Sequence, residues 1–145
     1  MFPYLTAIIF LPAVGAVVIA LLSRPAHVKR AAALFTLLSF LLSLYLLTQF
    51  NLAGGFQFRE RAVWLPSINA SYHLGVDGLS FPLLLLGTFL GFLAVLVSWK
   101  VELRVKEYFI SLLVLEVAYL GVFSSLDMLL FFLFWEIEVI PMYFL

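Results

Sequence analysis

The 145-residue sequence contains no cysteine and only two histidines, His27 and His73, which are far apart. Without cysteine, the 145 residues can form no disulfide and can provide no thiolate ligand for an iron–sulfur cluster or a zinc ion. There is also no Walker A loop, no GxGxxG motif and no credibly spaced Ser/His/Asp set. We therefore predict no cofactor, no metal and no catalytic redox residues in this chain.

Charge is also scarce. Only 11% of the residues are charged, against about a quarter in soluble domains. The net charge is zero, so nothing predicts a nucleic-acid partner. Hydrophobic residues make up 66% of the chain, and the mean hydropathy is +1.19. A water-soluble fold of this size could not bury so much apolar surface, so we predict an integral membrane protein that contacts the lipid bilayer.

A membrane-spanning helix needs about 20 mostly apolar residues. Five windows come close to that length, which predicts an all-α fold, a polytopic bundle of about five transmembrane helices. We interpret residues 1–145 as a single membrane domain. The apolar start has no basic flank, so we interpret the first window as a retained anchor. The predicted helices are about 4–23, 31–50, 79–99, 108–123 and 128–145.

The connections predict the orientation. Two short links, 24–30 and 100–107, hold six of the eight Lys and Arg residues, and positive residues favour the cytoplasmic side. The N-terminus is then outside, together with a long loop from Asn51 to Gly78 and a tight turn at 124–127.

Three glutamates, Glu116, Glu136 and Glu138, lie inside apolar windows. An acid at the centre of a spanning helix costs roughly 2.5–3.5 kcal/mol, and such residues usually mark ion or proton pathways. We therefore predict that all three take part in proton translocation. The alternative is a structural hydrogen-bonding role, which the depth of Glu136 disfavours and which stays open for Glu116 and Glu138.

Depth suggests how these acids are arranged. Glu136 lies about 13 Å beyond Asp127, and Glu116 lies about 12 Å before Ser124, at 1.5 Å per helical residue. Helices four and five are joined by the tight turn, so we expect the two carboxyls at one depth, in contact only if the helices are suitably rotated. Glu138 points about 200° away from Glu136, so one acid faces a proton path and the other a neighbouring helix or subunit.

Two aspartates have ordinary explanations. Asp127 stands at a helix start, where acids cap free N–H groups. Asp77 and Gly78 make a turn before helix three, with Ser80 as a further capping candidate.

Two stretches carry a family resemblance. Residues 72–80 (YHLGVDGLS) and 121–145, with the Trp135-Glu136-x-x-x-x-Pro141 spacing, resemble the antiporter-like subunit M (chain 4) family of proton-translocating NADH-quinone oxidoreductase, complex I. The resemblance follows the whole chain in helix order. Family members are much longer and carry partner lysines on later helices, so the chain corresponds to the N-terminal part only.

The resemblance implies a membrane-arm subunit of NADH:quinone oxidoreductase, in which proton translocation is coupled to quinone reduction and electron transport. By position, Glu136 is the family's proton-translocation glutamate. NADH, FMN, Fe–S clusters and quinone are then expected in other subunits, and the partners are other membrane-arm subunits. The expected location is a bacterial cytoplasmic (inner) membrane, multi-pass, with a thylakoid membrane as the alternative. The competing functions are a subunit of a multisubunit sodium/proton antiporter, without redox chemistry, and a non-functional fragment.

Overall fold

The computed structural model of the chain describes residues 3–50, 55, 57–68 and 70–144. Most of them form five α-helices, and a two-stranded antiparallel sheet lies between the second and third helices. The predicted all-α membrane helix bundle is confirmed, with this β-hairpin as an addition. The elements are α1 Tyr4–Leu21, α2 Pro25–Gln49, β1 Gln57–Leu65, β2 Ala70–Val76, α3 Ser80–Val97, α4 Val105–Ser124 and α5 Met128–Phe144.

Four of the described helices are long and apolar enough to cross a membrane: α1, α2, α4, and α3 together with its terminal 3₁₀ turn. The chain is therefore a multi-pass membrane protein. The 17 residues of α5 span about 26 Å, slightly less than a hydrocarbon core of about 30 Å. Leu145, the predicted last residue of helix five, lies outside the described residues.

The link predicted as a basic turn at 24–30 belongs to α2, which begins at Pro25 and not at residue 31. Proline suits the first position of a helix because the N–H that it lacks would have no partner there. On the same side of the bundle, the Lys106 Nζ donates a hydrogen bond to the Ala20 carbonyl near the end of α1, at 3.1 Å. A cation is favourable at a helix C-terminus because the unpaired carbonyls there carry partial negative charge.

The prediction of a loop from Asn51 to Gly78 is wrong over β1 and β2, which are strands. Asn51 itself lies outside the described residues. Strands β1 and β2 pair antiparallel, with Arg61 opposite His73. Apolar residues alternate along β2, which is the period-two pattern of a half-buried strand: Ala70, Tyr72, Leu74 and Val76.

The hairpin is hydrogen-bonded to the ends of the helices. Glu60 of β1 accepts the backbone N–H of Leu5 at 2.7 Å and that of Thr6 at 3.2 Å, and it also bonds the Thr6 hydroxyl. On the other strand, the Ser71 N–H donates to Asp127 at 2.9 Å. The hairpin therefore connects the start of α1 to the turn between α4 and α5.

Helix α4 is the centre of the bundle, because it packs against α1, α3 and α5. Apolar side chains fill two cores, one towards the hairpin and one towards the opposite ends of the helices. Buried hydroxyls join the other helices. Ser39 of α2 donates to the Ile8 carbonyl at 2.8 Å, and the hydroxyls of Ser43 and Thr88 are 2.8 Å apart. The central position of α4 explains why Glu116, near the middle of that helix, is buried.

Candidate functional site: intramembrane carboxyls on α4 and α5

Glu116 of α4 is 1% exposed and packs against Gly91 of α3. An ideal Cβ at Gly91 would lie 2.5 Å from the Glu116 Cδ and 2.6 to 2.7 Å from its two oxygens. The carboxyl therefore occupies space that any other residue at position 91 would fill. The Glu116 Oε1 has no hydrogen-bond partner among the described residues.

A buried polar atom without a partner costs free energy, commonly about 1–3 kcal/mol. Native proteins keep few such atoms, and those that persist often have a functional reason. In an apolar helix bundle, an acid of this kind is a candidate proton-transfer group. Of the three predicted acids, Glu116 is the one that the described chain itself encloses.

A groove of about 380 Å³ runs between α3 and α4 beside this carboxyl. Gly91 lines it, as does Gly87 one turn earlier on α3. Tyr119, one turn after Glu116, donates its hydroxyl to the Gly87 carbonyl at 2.7 Å. The remaining lining is almost entirely apolar: Leu83, Leu86, Leu90, Ala94, Leu112, Leu115 and Phe123.

Glu136 lies on the exposed surface of α5. The buried face of that helix is formed by Leu130, Phe134 and Pro141. Glu136 follows Phe134 by two residues, so it points about 200° away from the buried face. The structure thus gives Glu116 and Glu136 different surroundings: one packs against α3, and the other faces away from this bundle.

Glu138 is half-buried and lines a groove of about 390 Å³ between α4 and α5. Tyr119, Phe123 and Trp135 line the same groove. Tyr119 therefore contributes to the groove beside Glu116 and to the groove that holds Glu138. Sequence reasoning missed Tyr119 and Gly91, because only the packing of α3 on α4 brings them to the acids.

Asp127 and Asp77 both sit at helix starts. The Asp127 carboxylate accepts the N–H of Leu129 at 2.9 Å and that of Leu130 at 3.2 Å. Its other oxygen accepts the N–H of Ser71, and this bond, with those from α5, holds the pKa of Asp127 below its usual value.

Asp77 accepts the N–H groups of Ser80 and Leu79, at 2.9 and 3.0 Å. These bonds, the one from Ser80 first, lower the pKa of Asp77. In return, the Ser80 hydroxyl oxygen accepts the N–H of Asp77 at 3.0 Å, as in a capping box.

The chain is 45% identical, over 96% of its length, to NADH-quinone oxidoreductase subunit M of Rhodobacter capsulatus. It is 38% identical, over 97% of its length, to NAD(P)H-quinone oxidoreductase chain 4 of Synechococcus sp. strain CC9605. The chain is a homologue of subunit M/chain 4 over part of their length. It spans 28% of the first relative and 27% of the second. No protein-family model matches it.

The fold agrees with this homology to subunit M/chain 4. The chain aligns with a chain of respiratory complex I from Thermus thermophilus at a TM-score of 0.79 and 33% identity, covering 95% of this chain and 27% of that one. A chain of an archaeal membrane-bound sulfane sulfur reductase aligns at a TM-score of 0.78 and 21% identity, over 95% of this chain and 22% of that one, and shares the fold. The Rhodobacter and Synechococcus relatives are named as quinone oxidoreductase subunits, and neither is named as a sodium/proton antiporter.

Within the described residues, no group of three or more His, Asp and Glu side chains is placed to hold a metal ion. The nearly apolar lining of the α3–α4 groove offers no ligands for a metal or a cluster either. Glu116, Glu136 and Glu138 are carboxyls on otherwise largely apolar helices, and a carboxyl can take up and release a proton.

Proposed function

We propose that this chain is part of a membrane-arm subunit of NADH:quinone oxidoreductase and takes part in proton translocation coupled to quinone reduction. The observation that carries the proposal is the placement of three carboxyls, Glu116, Glu136 and Glu138, on two adjoining helices of a subunit M/chain 4 homologue. The names of the relatives support the assignment to a quinone oxidoreductase complex, and the three acids support a part in proton translocation.

The three acids are suited to different parts of a proton path. Glu116 is enclosed by α3 and α4, so it would hold a proton out of contact with water. Glu136 faces away from the bundle and would exchange its proton with a group on a helix beyond these residues. Glu138 lines the groove beside Tyr119, and its exposure is intermediate between those of Glu116 and Glu136. Transfer between two groups needs hydrogen-bond reach, directly or through one water.

Under this proposal, electron transfer takes place in other subunits, which hold NADH, FMN, Fe–S clusters and quinone. The partners of the chain are the other membrane-arm subunits and the lipid bilayer. The membrane is a bacterial cytoplasmic membrane or a thylakoid membrane, since the relatives include proteins of Rhodobacter and of cyanobacteria.

The test is Glu136→Gln in the full-length subunit, assembled in its complex and assayed in inverted membrane vesicles. Glutamine keeps the size of the side chain but cannot carry a transferable carboxyl proton. We expect fewer protons pumped per electron, with electron transfer from NADH to an artificial acceptor unchanged. Glu102→Gln is the matched control, since Glu102 is an exposed acid outside the spanning helices. Unchanged pumping per electron in Glu136→Gln would contradict the role of Glu136.

Glu116→Gln, alone and combined with Glu136→Gln, tests whether the two acids act in one path. Groups on one path give a double variant no worse than the poorer single variant, whereas independent groups give losses that multiply. Full pumping by the double variant would contradict proton translocation through this part of the chain.

A further inference from the structure

We infer that Gly91 is a positioning residue for the Glu116 carboxyl. The inference begins with the close approach of α4 to α3, where the carboxyl occupies the volume that a side chain at position 91 would need. Distances of 2.5 to 2.7 Å from an ideal Cβ to the three carboxyl atoms are far below van der Waals contact. Alanine at position 91 and the observed carboxyl position are therefore incompatible.

The surrounding contacts prevent α3 from moving aside. The hydroxyl of Tyr119 on α4 bonds the carbonyl of Gly87, one turn before Gly91. Towards α2, the hydroxyl of Thr88 pairs with that of Ser43. Since α3 is attached to both neighbours within one turn of Gly91, a methyl group there would displace the Glu116 side chain and leave the helix in place.

The displacement matters because of where the carboxyl lies. Gly91 lines the apolar groove, and Glu116 packs directly behind it. In this position Glu116 is 1% exposed, and its Oε1 has no hydrogen-bond partner in the part of the chain that the structure describes. If the carboxyl were pushed away from Gly91, it would either become more exposed or press against the apolar side chains packed around α4. Gly91 thus fixes the place at which Glu116 could give and take a proton. The expected effect on pumping rests on the proposed function.

The experiment uses Gly91→Ala in the full-length subunit within its complex. We expect several-fold less pumping per electron, with electron transfer to an artificial acceptor retained. The decisive variant is Gly91→Ala combined with Glu116→Asp, because aspartate withdraws the carboxyl by one C–C bond, about 1.5 Å. The pair should recover most of the pumping lost in Gly91→Ala. Gly15→Ala is the control for a tight helix contact without a carboxyl, because a Cβ there would meet the Phe35 side chain at 2.8 Å.

Thermal stability of the assembled complex provides the readout that does not depend on pumping. If the carboxyl occupies this space, Gly91→Ala lowers the unfolding temperature, and adding Glu116→Asp restores it. The coupling between the two substitutions should correspond to about a tenfold change in the unfolding equilibrium constant. If Gly91→Ala fails to assemble, restored assembly in the double variant supports the inference and continued failure overturns it.

Independent, additive effects of the two substitutions on stability also overturn the inference. If the two substitutions are coupled in stability but pumping is unchanged, Gly91 still positions the carboxyl. That result contradicts the proposed role of Glu116 in proton translocation. The two failures are therefore distinguishable.

Discussion

The ring of Phe134 on α5 occupies the space in which a side chain at Gly121 on α4 would begin. An ideal Cβ at Gly121 would overlap three atoms of this ring. Phe134 is 5% exposed and belongs to the core nearest the hairpin. Because Glu136 follows Phe134 by two residues, this contact also sets the direction in which Glu136 points.

Gly121→Ala should therefore destabilise the packing of α5 on α4. Overpacking of this kind costs about 1–3 kcal/mol, and here it forces the Phe134 ring out of its place. We expect a lower unfolding temperature of the assembled complex and reduced pumping, since α5 rotates or shifts. Phe134→Leu in the same chain should relieve part of the loss. A Gly121→Ala variant as stable as the parent would show that the two helices can separate without cost.

Glu60→Ala should loosen the start of α1. The Glu60 carboxylate accepts two backbone N–H groups that a helix start otherwise leaves unpaired, and caps of this kind are worth about 0.5–2 kcal/mol. The measurement is amide hydrogen exchange, in which peptides covering Leu5 and Thr6 should exchange faster. Glu102→Ala, a substitution of an exposed acid, should leave these peptides unchanged. Equal exchange in the two variants would mean that α1 does not depend on the hairpin.

Asp127 makes the junction between the hairpin and α5 sensitive to acid. Its pKa is lowered because the N–H groups of Ser71, Leu130 and Leu129 stabilise the charged carboxylate. A group with a lowered pKa in the folded state binds fewer protons there than when unfolded. Its stabilisation is therefore complete above the ordinary value, about 3.9, and is lost as the pH falls through the lowered value.

The measurement is the unfolding temperature of the complex from pH 7 to pH 3, for the parent and for Asp127→Asn. We expect the difference between them to shrink as the pH falls through this window. His73 also has a lowered pKa, first through burial and then through Arg59 and Arg61. The charge of Asp127 acts in the opposite direction and raises the pKa of His73, so the comparison is made in a His73→Gln background, which removes this coupling. A difference that does not change with pH would assign the role of Asp127 to geometry and not to charge.

Thr88→Val tests the hydroxyl pair that joins α2 to α3. Valine has a similar shape, so the change removes the hydrogen bond to Ser43 with little change in packing. The Ser43 hydroxyl still donates to the Phe40 carbonyl, so we expect a loss of only about 1 kcal/mol in the free energy of unfolding. Thr88→Ser, which keeps the hydroxyl, is the matched control. A loss several times larger would contradict the assignment of this effect to a single hydrogen bond.

The helices could be predicted because continuous apolar windows of spanning length have few other solutions in a membrane. The predicted start of helix two at residue 31 is too late, because the helix does not begin after the charged residues. Lys29 and Arg30 lie in the first turns of α2, which begins at Pro25. Continuous apolar windows do not predict the hairpin, because β2 carries its signal as an alternation of apolar and other residues, which the sequence does contain.

The candidate site could be predicted in residue type and depth but not in direction. Rise per residue places Glu116 and Glu136 along their helices, but only inter-helix packing fixes rotation. That packing depends on Gly91 and Gly121, two glycines whose function is to make space. Nothing in the sequence pairs Gly91 with Glu116, because the two residues meet only after α3 and α4 have assembled.

The hairpin has an electrostatic consequence for the face of the bundle on which it lies. Three helices begin there, and the start of each carries partial positive charge. Each start has its own carboxylate within hydrogen-bond distance: Glu60 for α1, Asp77 for α3 and Asp127 for α5. The three local fields are thereby offset one by one, so the helix starts themselves add little positive potential to this face of the bundle.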